Sequence, residues 1–256
     1  MAIGRTNAGV GGGGSYIPQF TYTGSFTLLD DGNKNWRLKL LTSGTLTFSK
    51  LGKGNGSIDV FLVGGGAGGA YNHAQSSPYT GHGGGGGYTF TQSGVVIQAG
   101  TAYQAVIGNG GNGASTGGST DKSGSDGGNT TFMSFTAIGG KANGDGGSGG
   151  APENKSSGAS AGSDGGDGVD SGGTAYTHGQ GTTTREFGEV GGTLYAGGGG
   201  SGRISGGNGG GGGGDMSAEF GYDGATNYGG GGSGTHLNGH AAGKGGSGIV
   251  VIRNMR

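Results

Sequence analysis

The sequence predicts an all-β protein: a jelly-roll-like antiparallel β-sandwich carrying an inserted bundle of polyglycine II helices, with little or no α-helix. Three observations predict it. Short apolar and aromatic segments recur with the two-residue alternation of strands. Glycine makes up 78 of 256 residues, about 30%, and it gathers into tracts between those segments. No stretch holds a helical period long enough to form a helix.

The strands follow in order. Residues 20–29 are rich in aromatics and Thr. Residues 36–41 alternate Trp36, Leu38 and Leu40 with Arg37 and Lys39, and residues 45–48 alternate Leu46 and Phe48 with Thr, so each should have one wet face. Residues 58–63 are apolar except for Asp59. Asp31-Gly32 and Ser43-Gly44 are turn signals between these runs. Further strands are expected at 88–91, 95–98, 103–107, 130–135 and 249–252. The last of them sits at the chain terminus, so the sandwich should close around everything inserted before it.

The glycines are unevenly placed: 12 fall in residues 1–60 and 66 in the remaining 196. Ordering any residue costs about 1–2 kcal/mol, and glycine has the most backbone freedom to lose. A long tract is therefore either a loose tether or an array held by many hydrogen bonds. The tracts come in pairs: Gly64–Gly69 with Gly83–Gly87, Gly108–Gly113 with Gly124–Asn129, Gly139–Gly150 with Gly162–Gly173, Gly197–Gly202 with Gly206–Gly214, and Gly229–Gly234 with Gly243–Gly248. Ten legs and five outer turns result. Polyglycine II accounts for the pattern, because it is an extended threefold helix with no internal hydrogen bonds, whose N–H and C=O groups must pair with neighbouring threads. Such a bundle needs few apolar side chains. That fits a chain in which Leu, Ile, Val and Phe number only 38, about 15%. Lys141, Asn143, Asp145 and Asp167, which interrupt the tracts, should then face solvent.

Composition excludes several classes. Cysteine is absent, so disulfide scaffolds, thiol enzymes and Cys-based zinc sites fall away. The longest apolar runs are about four residues, against ~18 or more for a membrane-spanning helix, and no membrane insertion is expected. Net charge is −1, which argues against nucleic acid as a partner. No apolar signal-peptide core follows Met1-Ala-Ile-Gly-Arg5, so cytoplasmic synthesis is expected. Matches to G-x-G-x-x-G mean little, since chance gives roughly seven at this glycine content and none opens a helix after a strand. Gly165-Gly-Asp-Gly-Val-Asp170 echoes a calcium nonapeptide but occurs once, whereas such sites need stacked repeats. Neither a nucleophile elbow nor a pair of carboxylates stands out. The chain reads as a non-enzyme with no cofactor and no metal.

The set Phe61-Leu-Val-Gly-Gly-Gly-Ala-Gly-Gly69, Gly83–Tyr88, Ile107-Gly-Asn-Gly-Gly111, Gly181-Thr-Thr-Thr-Arg-Glu-Phe-Gly188, Leu194–Gly200 and Gly245–Arg253 resembles glycine-rich domains of phage and prophage tail proteins. In architecture the chain is similar to the tip adhesins of T-even-like long tail fibres, where glycine-rich motifs alternate with variable loops on a polyglycine II sandwich. The glycine-rich extracellular region of anaplastic lymphoma kinase shows a comparable pattern. The likeness spans roughly residues 20–253. It implies a virion protein that recognises a bacterial surface receptor, protein or glycan, through displayed loops.

In-and-out parity puts five turns at the far end: 71–82, 114–123, 151–161, 203–205 and 235–242. Loops on rigid scaffolds commonly carry recognition. Aromatics with a polar edge suit stacking on sugars or packing on a receptor, which makes Tyr71, His73, Tyr79 and His82 the leading candidates, with Arg203, His236 and His240 as added donors. Residues 174–196 and 215–228 should lie near the sandwich, with Tyr176, Phe187, Tyr195, Phe220, Tyr222 and Tyr228 packed there. Residues 1–19 read as an attachment segment toward other virion proteins, and homo-oligomers are compatible with the reading. The alternative is a non-adhesive glycine-rich structural protein of the virion, including a head fibre or decoration protein, or a secreted surface or ice-binding protein.

Overall fold

A computed structural model describes residues 5–6, 16–52, 56–72, 81–115, 120–151, 164–170, 172–201, 206–207, 209–211, 221–235 and 240–256. Its strands are β1 (Arg5–Thr6), β2 (Gln19–Tyr22), β3 (Phe26–Gly32), β4 (Asn35–Leu40), β5 (Gly44–Lys50), β6 (Ser57–Val63), β7 (Thr89–Val96), β8 (Ala102–Val106), β9 (Thr130–Phe132), β10 (Phe135–Ala137), β11 (Gly168–Val169), β12 (Ala175–Thr177) and β13 (Ile249–Asn254), with one 3-10 turn at Glu186–Gly188. The expected all-β antiparallel sandwich is the fold. One sheet has the order β1-β2-β5-β8-β9-β10 and the other β3-β4-β13-β6-β7.

Alternation builds the core. Phe20, Tyr22, Leu46, Phe48, Ala105 and Phe132 point inward from the first sheet, and Trp36, Leu38, Leu40, Ile58, Val60, Leu62, Val250 and Ile252 meet them from the second. Each fully buried side chain of this size contributes about 1.5–3 kcal/mol. The terminal strand β13 inserts between β4 and β6, with Val250 opposite Leu40 on one side and Leu62 on the other. Strand boundaries depart from expectation where the chain must turn. Residues 20–29 form two strands, one in each sheet, because the chain crosses over at Gly24, where a Cβ would lie 2.7 Å from the Thr42 and Ser43 carbonyl oxygens. Residues 88–91 and 95–98 belong mostly to one strand, β7, whose register shifts opposite Ile58/Val60 and which takes Gly94 at φ +69°. Residues 130–135 fold back as the β9–β10 hairpin.

From one end of the sandwich, where β6, β8 and β10 finish and β7, β9 and β13 begin, the chain runs on as extended threads: g1 (residues 64–71), g2 (82–88), g3 (108–114), g4 (122–129), g5 (139–141 and 146–151), g6 (197–201), g7 (229–235) and g8 (242–248). Their hydrogen bonds repeat every third residue. Along g1, the N–H groups of Gly64, Ala67 and Ala70 donate to Tyr88, Gly85 and His82 of g2; those of Gly65, Gly68 and Tyr71 donate to Gly128, Ser125 and Lys122 of g4; those of Gly66 and Gly69 donate to Gly246 and Gly243 of g8. The carbonyls of g1 accept from Gly111 and Ala114 of g3, from Gly232 and Thr235 of g7, and from Gly140 of g5. One thread is thus held by six others, as the threefold helix allows. At ~3.1 Å per residue the eight residues of g1 span about 25 Å.

The spacing requires glycine. A Cβ at Gly65, Gly66, Gly68 or Gly69 would lie 2.0–2.1 Å from a carbonyl oxygen of another thread. Ala67 and Ala70 are the two places on g1 where a methyl fits, and both are buried. Asn143 and Asp167 face solvent, while Lys141 and Asp145 are half-buried at the surface.

Not every expected leg is a thread. Residues 164–170 turn at Asp164 and Gly165, both at positive φ, and enter the β11–β12 hairpin. Asp170 closes that hairpin by accepting from the N–H groups of Gly172 and Thr174. Gly209 and Gly210 also turn at positive φ, so the described part of the leg expected at 206–214 bends instead of running straight.

Candidate functional site

The threads end together away from the sandwich, and their ends are tied to one another. Tyr71 N donates to Lys122 O at 2.8 Å and Lys122 N returns a bond to Tyr71 O at 2.9 Å. Asn72 N donates to Thr235 O, Gly83 N to Ala151 O, Gly234 N to Gly200 O and Ala242 N to Ala114 O. These residues are the stems of five chain segments: 73–80, 116–119, 152–163, 202–205 and 236–239. Segments 73–80, 116–119 and 236–239 have both stems at this end, whereas 152–163 and 202–205 leave from it at Ala151 and Ser201 and return lower down, at Asp164 beside Thr183 and Arg185 and at Gly207, which donates to Gly198 O.

Tyr71 closes the central thread. It is 1% exposed and packs with Ala114 and Ala242, and its buried hydroxyl has no hydrogen-bond partner among the described residues. The expectation that Tyr71 is displayed on a loop is therefore corrected: it is the first bulky side chain beyond the glycine lattice, and it fills the space between threads. His82 ends g2 and His240 precedes g8; both are half-buried, each with its Nδ1 inside. They flank the Thr235 end of g7, since g2 and g8 both bond to g7. His73, Tyr79, Arg203 and His236 lie outside the described residues, as does Phe220. Among the described residues no group of three or more His, Asp or Glu comes together as a metal site.

A second polar constellation, at the sandwich, gave no signal in the sequence. The segment 184–196 lies as a strap over the outer face of the second sheet. Tyr195 and Phe187 cover Phe61 at ring-centroid distances of 5.4 and 5.8 Å, together with Val63, Ile249 and Val251. Glu186, only 2% exposed, accepts from Arg37 Nη1 at 2.6 Å, from Lys39 Nζ at 3.0 Å and from the Tyr195 hydroxyl at 2.9 Å. Burial alone would raise the Glu186 carboxyl, but Arg37, Lys39 and Tyr195 outweigh it and hold it below the usual glutamate range. Burial, with the Glu186 charge beside it, pushes the Tyr195 phenol up. Next along the strap, the Arg253 guanidinium sits 3.9 Å over the Phe187 ring and pairs with Asp59 and Glu189. Phe187 itself is held at φ +54°. Arg37 and Lys39 were legible only as one polar face of β4; their partner is about 150 residues away.

Phe187 and Tyr195 pack as expected, and the Tyr228 ring lies 5.2 Å from that of Tyr195. Tyr176 and Tyr222 instead stand exposed.

The arrangement defines a class: a β-sandwich from which hydrogen-bonded glycine threads carry loop stems to a common end. The chain belongs to the glycine-rich domain family, whose family model matches residues 42–255. No curated protein matches it.

Proposed function

We propose that the chain is a virion protein of a bacterial virus, a tail fibre or tail tip adhesin that recognises the host surface through loops held on the glycine-thread bundle. One observation carries the reading: three chain segments, 73–80, 116–119 and 236–239, have both their stems hydrogen-bonded to one another at a single end of a stiff support, from which 152–163 and 202–205 also depart. Loops on rigid elements lose little conformational entropy on binding. The resemblance of the glycine motifs to those of phage tail glycine-rich domains supports the same reading. With Tyr71 assigned to the interior, recognition falls to the loops themselves and to His82 and His240 at their bases. Several copies on one particle would multiply weak single contacts.

The test is adsorption. Fluorescently labelled full-length protein is mixed with a panel of bacterial strains, and whole virus particles are added as competitor. Saturable binding to a subset of strains, displaced by particles, is expected. Replacing residues 73–80 with a Gly/Ser segment should abolish it while the circular dichroism spectrum is kept. Failure to adsorb to any strain that the particles infect, or adsorption indifferent to the loop exchange, would overturn the proposal and leave the non-adhesive structural role.

A further inference from the structure

We propose that the strap, residues 184–196, is an acid-released cover: in acid it lifts from the outer face of the β3-β4-β13-β6-β7 sheet while the sandwich and the threads stay folded. Among the described residues its main chain makes no hydrogen bond to β4, β6 or β13. It closes on itself instead. Glu186 N donates to Thr193 O, Glu189 N to Glu186 O, Gly192 N to Glu189 O and Tyr195 N to Thr184 O. Its two roots are held apart from the sheet. Asp164 accepts from the Thr183 hydroxyl, the Thr184 amide and the Arg185 guanidinium, and Ala196 N donates to Tyr228 O. Side chains alone therefore fasten the strap to the sheet.

Those side chains sort by charge. The cations are on the sheet, Arg37 and Lys39 from β4 and Arg253 from β13, and the carboxylates that meet them, Glu186 and Glu189, are on the strap. Around this contact Asp31 of β3 pairs with Arg37 and Arg256, Asp59 of β6 pairs with Arg253, and Tyr195 donates to Glu186. Neutralising the two glutamates leaves Arg37, Lys39 and Arg253 beneath a cover that offers them no countercharge, and a covered cation without its partner favours exposure to water. Burial would raise the Glu186 carboxyl, yet Arg37 and Lys39 hold it below the usual glutamate range. Its grip is thus present above the ordinary glutamate value and is lost as pH falls through the lower folded value.

The apolar part of the contact is separate from the main core. Phe61, Val63, Ile249 and Val251 pack with Tyr195, Ala196 and Phe187, on the opposite side of β6 and β13 from Val60, Leu62, Val250 and Ile252. Lifting the strap uncovers this patch and leaves the interior of the sandwich closed. A lone two-stranded hairpin is marginal in water, so off the sheet the strap loses its own hydrogen bonds as well. Strand β13 keeps β4 and β6 on its two sides. Such a unit opens at a lower free energy than the whole fold.

The experiment follows amide exchange by NMR, and the emission of an anilinonaphthalene sulfonate dye, on the full chain from about pH 7 to about pH 3. A pH interval is expected in which circular dichroism and the protection of Val250 and Val251 are kept. There the amides of Glu186, Glu189, Gly192 and Tyr195 should lose at least about tenfold in protection relative to those two, and dye emission should rise reversibly. Glu186→Gln with Glu189→Gln should show the same open strap at neutral pH. Glu189→Gln alone, at a side chain 49% exposed, is the milder variant, and it should move the opening to higher pH with the sheet intact. Strap amides that lose protection only together with Val250 and Val251 overturn the proposal. So does an opening pH that Glu189→Gln leaves unchanged, or a double variant that folds with its strap protected at neutral pH.

Discussion

Arg37 Nη1 lies 2.6 Å from Glu186 Oε1, joining the fourth strand to the strap 149 residues later. The pair fixes which part of the glycine-rich half covers the outer face of the second sheet. Removing one member of a buried pair leaves the other uncompensated, which typically costs about 3–5 kcal/mol. Arg37 keeps Asp31 as a second partner, so Glu186→Ala is expected at the lower end, about 3 kcal/mol. Denaturant unfolding checks it: a loss under about 1 kcal/mol would mean the strap is held by its aromatics alone.

The same carboxylate sets an acid limit. Its folded pKa is lowered, so its contribution is present above the unfolded glutamate value and fades as pH falls through the lower folded value. Stability measured from pH 7 to 2 should fall on the acid side for the wild type. The fall should be shallower for Glu186→Gln, which starts less stable and has no proton to take up there. Parallel acid limbs in the two proteins would contradict the assignment.

Gly68 has no room for a side chain. A methyl there would sit 2.0 Å from Asn112 O, a fixed backbone atom. Gly68→Ala is therefore expected to cost at least about 3 kcal/mol, the upper range for overpacking. Gly56, with nothing within 4 Å of its position, is the control, and Gly56→Ala should be neutral or stabilising by up to about 1 kcal/mol. Equal Tm values for the two variants would show that the threads are loosely spaced.

Hydrogen exchange reads the threads directly. The amides of Gly65 to Gly69 should exchange as slowly as those of Val250 and Val251 in β13, because each group is paired inside the bundle and opens only with it. Exchange at unstructured-chain rates would remove the support from under the loops.

Tyr71 separates shape from hydrogen bonding. Its hydroxyl has no partner among the described residues, so Tyr71→Phe should leave stability unchanged or raise it by about 1 kcal/mol, and leave cell adsorption intact. Tyr71→Ala should cost about 3–5 kcal/mol. A Phe variant that folds but no longer adsorbs would put the hydroxyl back among the recognition groups.

By itself the sequence determined the β-sandwich, most strand positions and the threefold threads. Alternation such as Trp36/Leu38/Leu40 and glycine at nearly every tract position are local consequences of pleat and thread spacing, so they are written residue by residue. It also placed Asn143 and Asp167 on the outside, because a lattice of paired main chains leaves no room inside for such side chains, though Lys141 and Asp145 turn out half-buried. Tertiary structure alone decided that Tyr71 is interior, that Gly168–Val169 and Ala175–Thr177 pair as a hairpin, and that Glu186 meets Arg37 and Lys39. Each depends on which threads become neighbours. Glycine carries no side chain to specify a partner, and every tract offers the same N–H and C=O groups, so the choice is made by the whole bundle closing at once around g1.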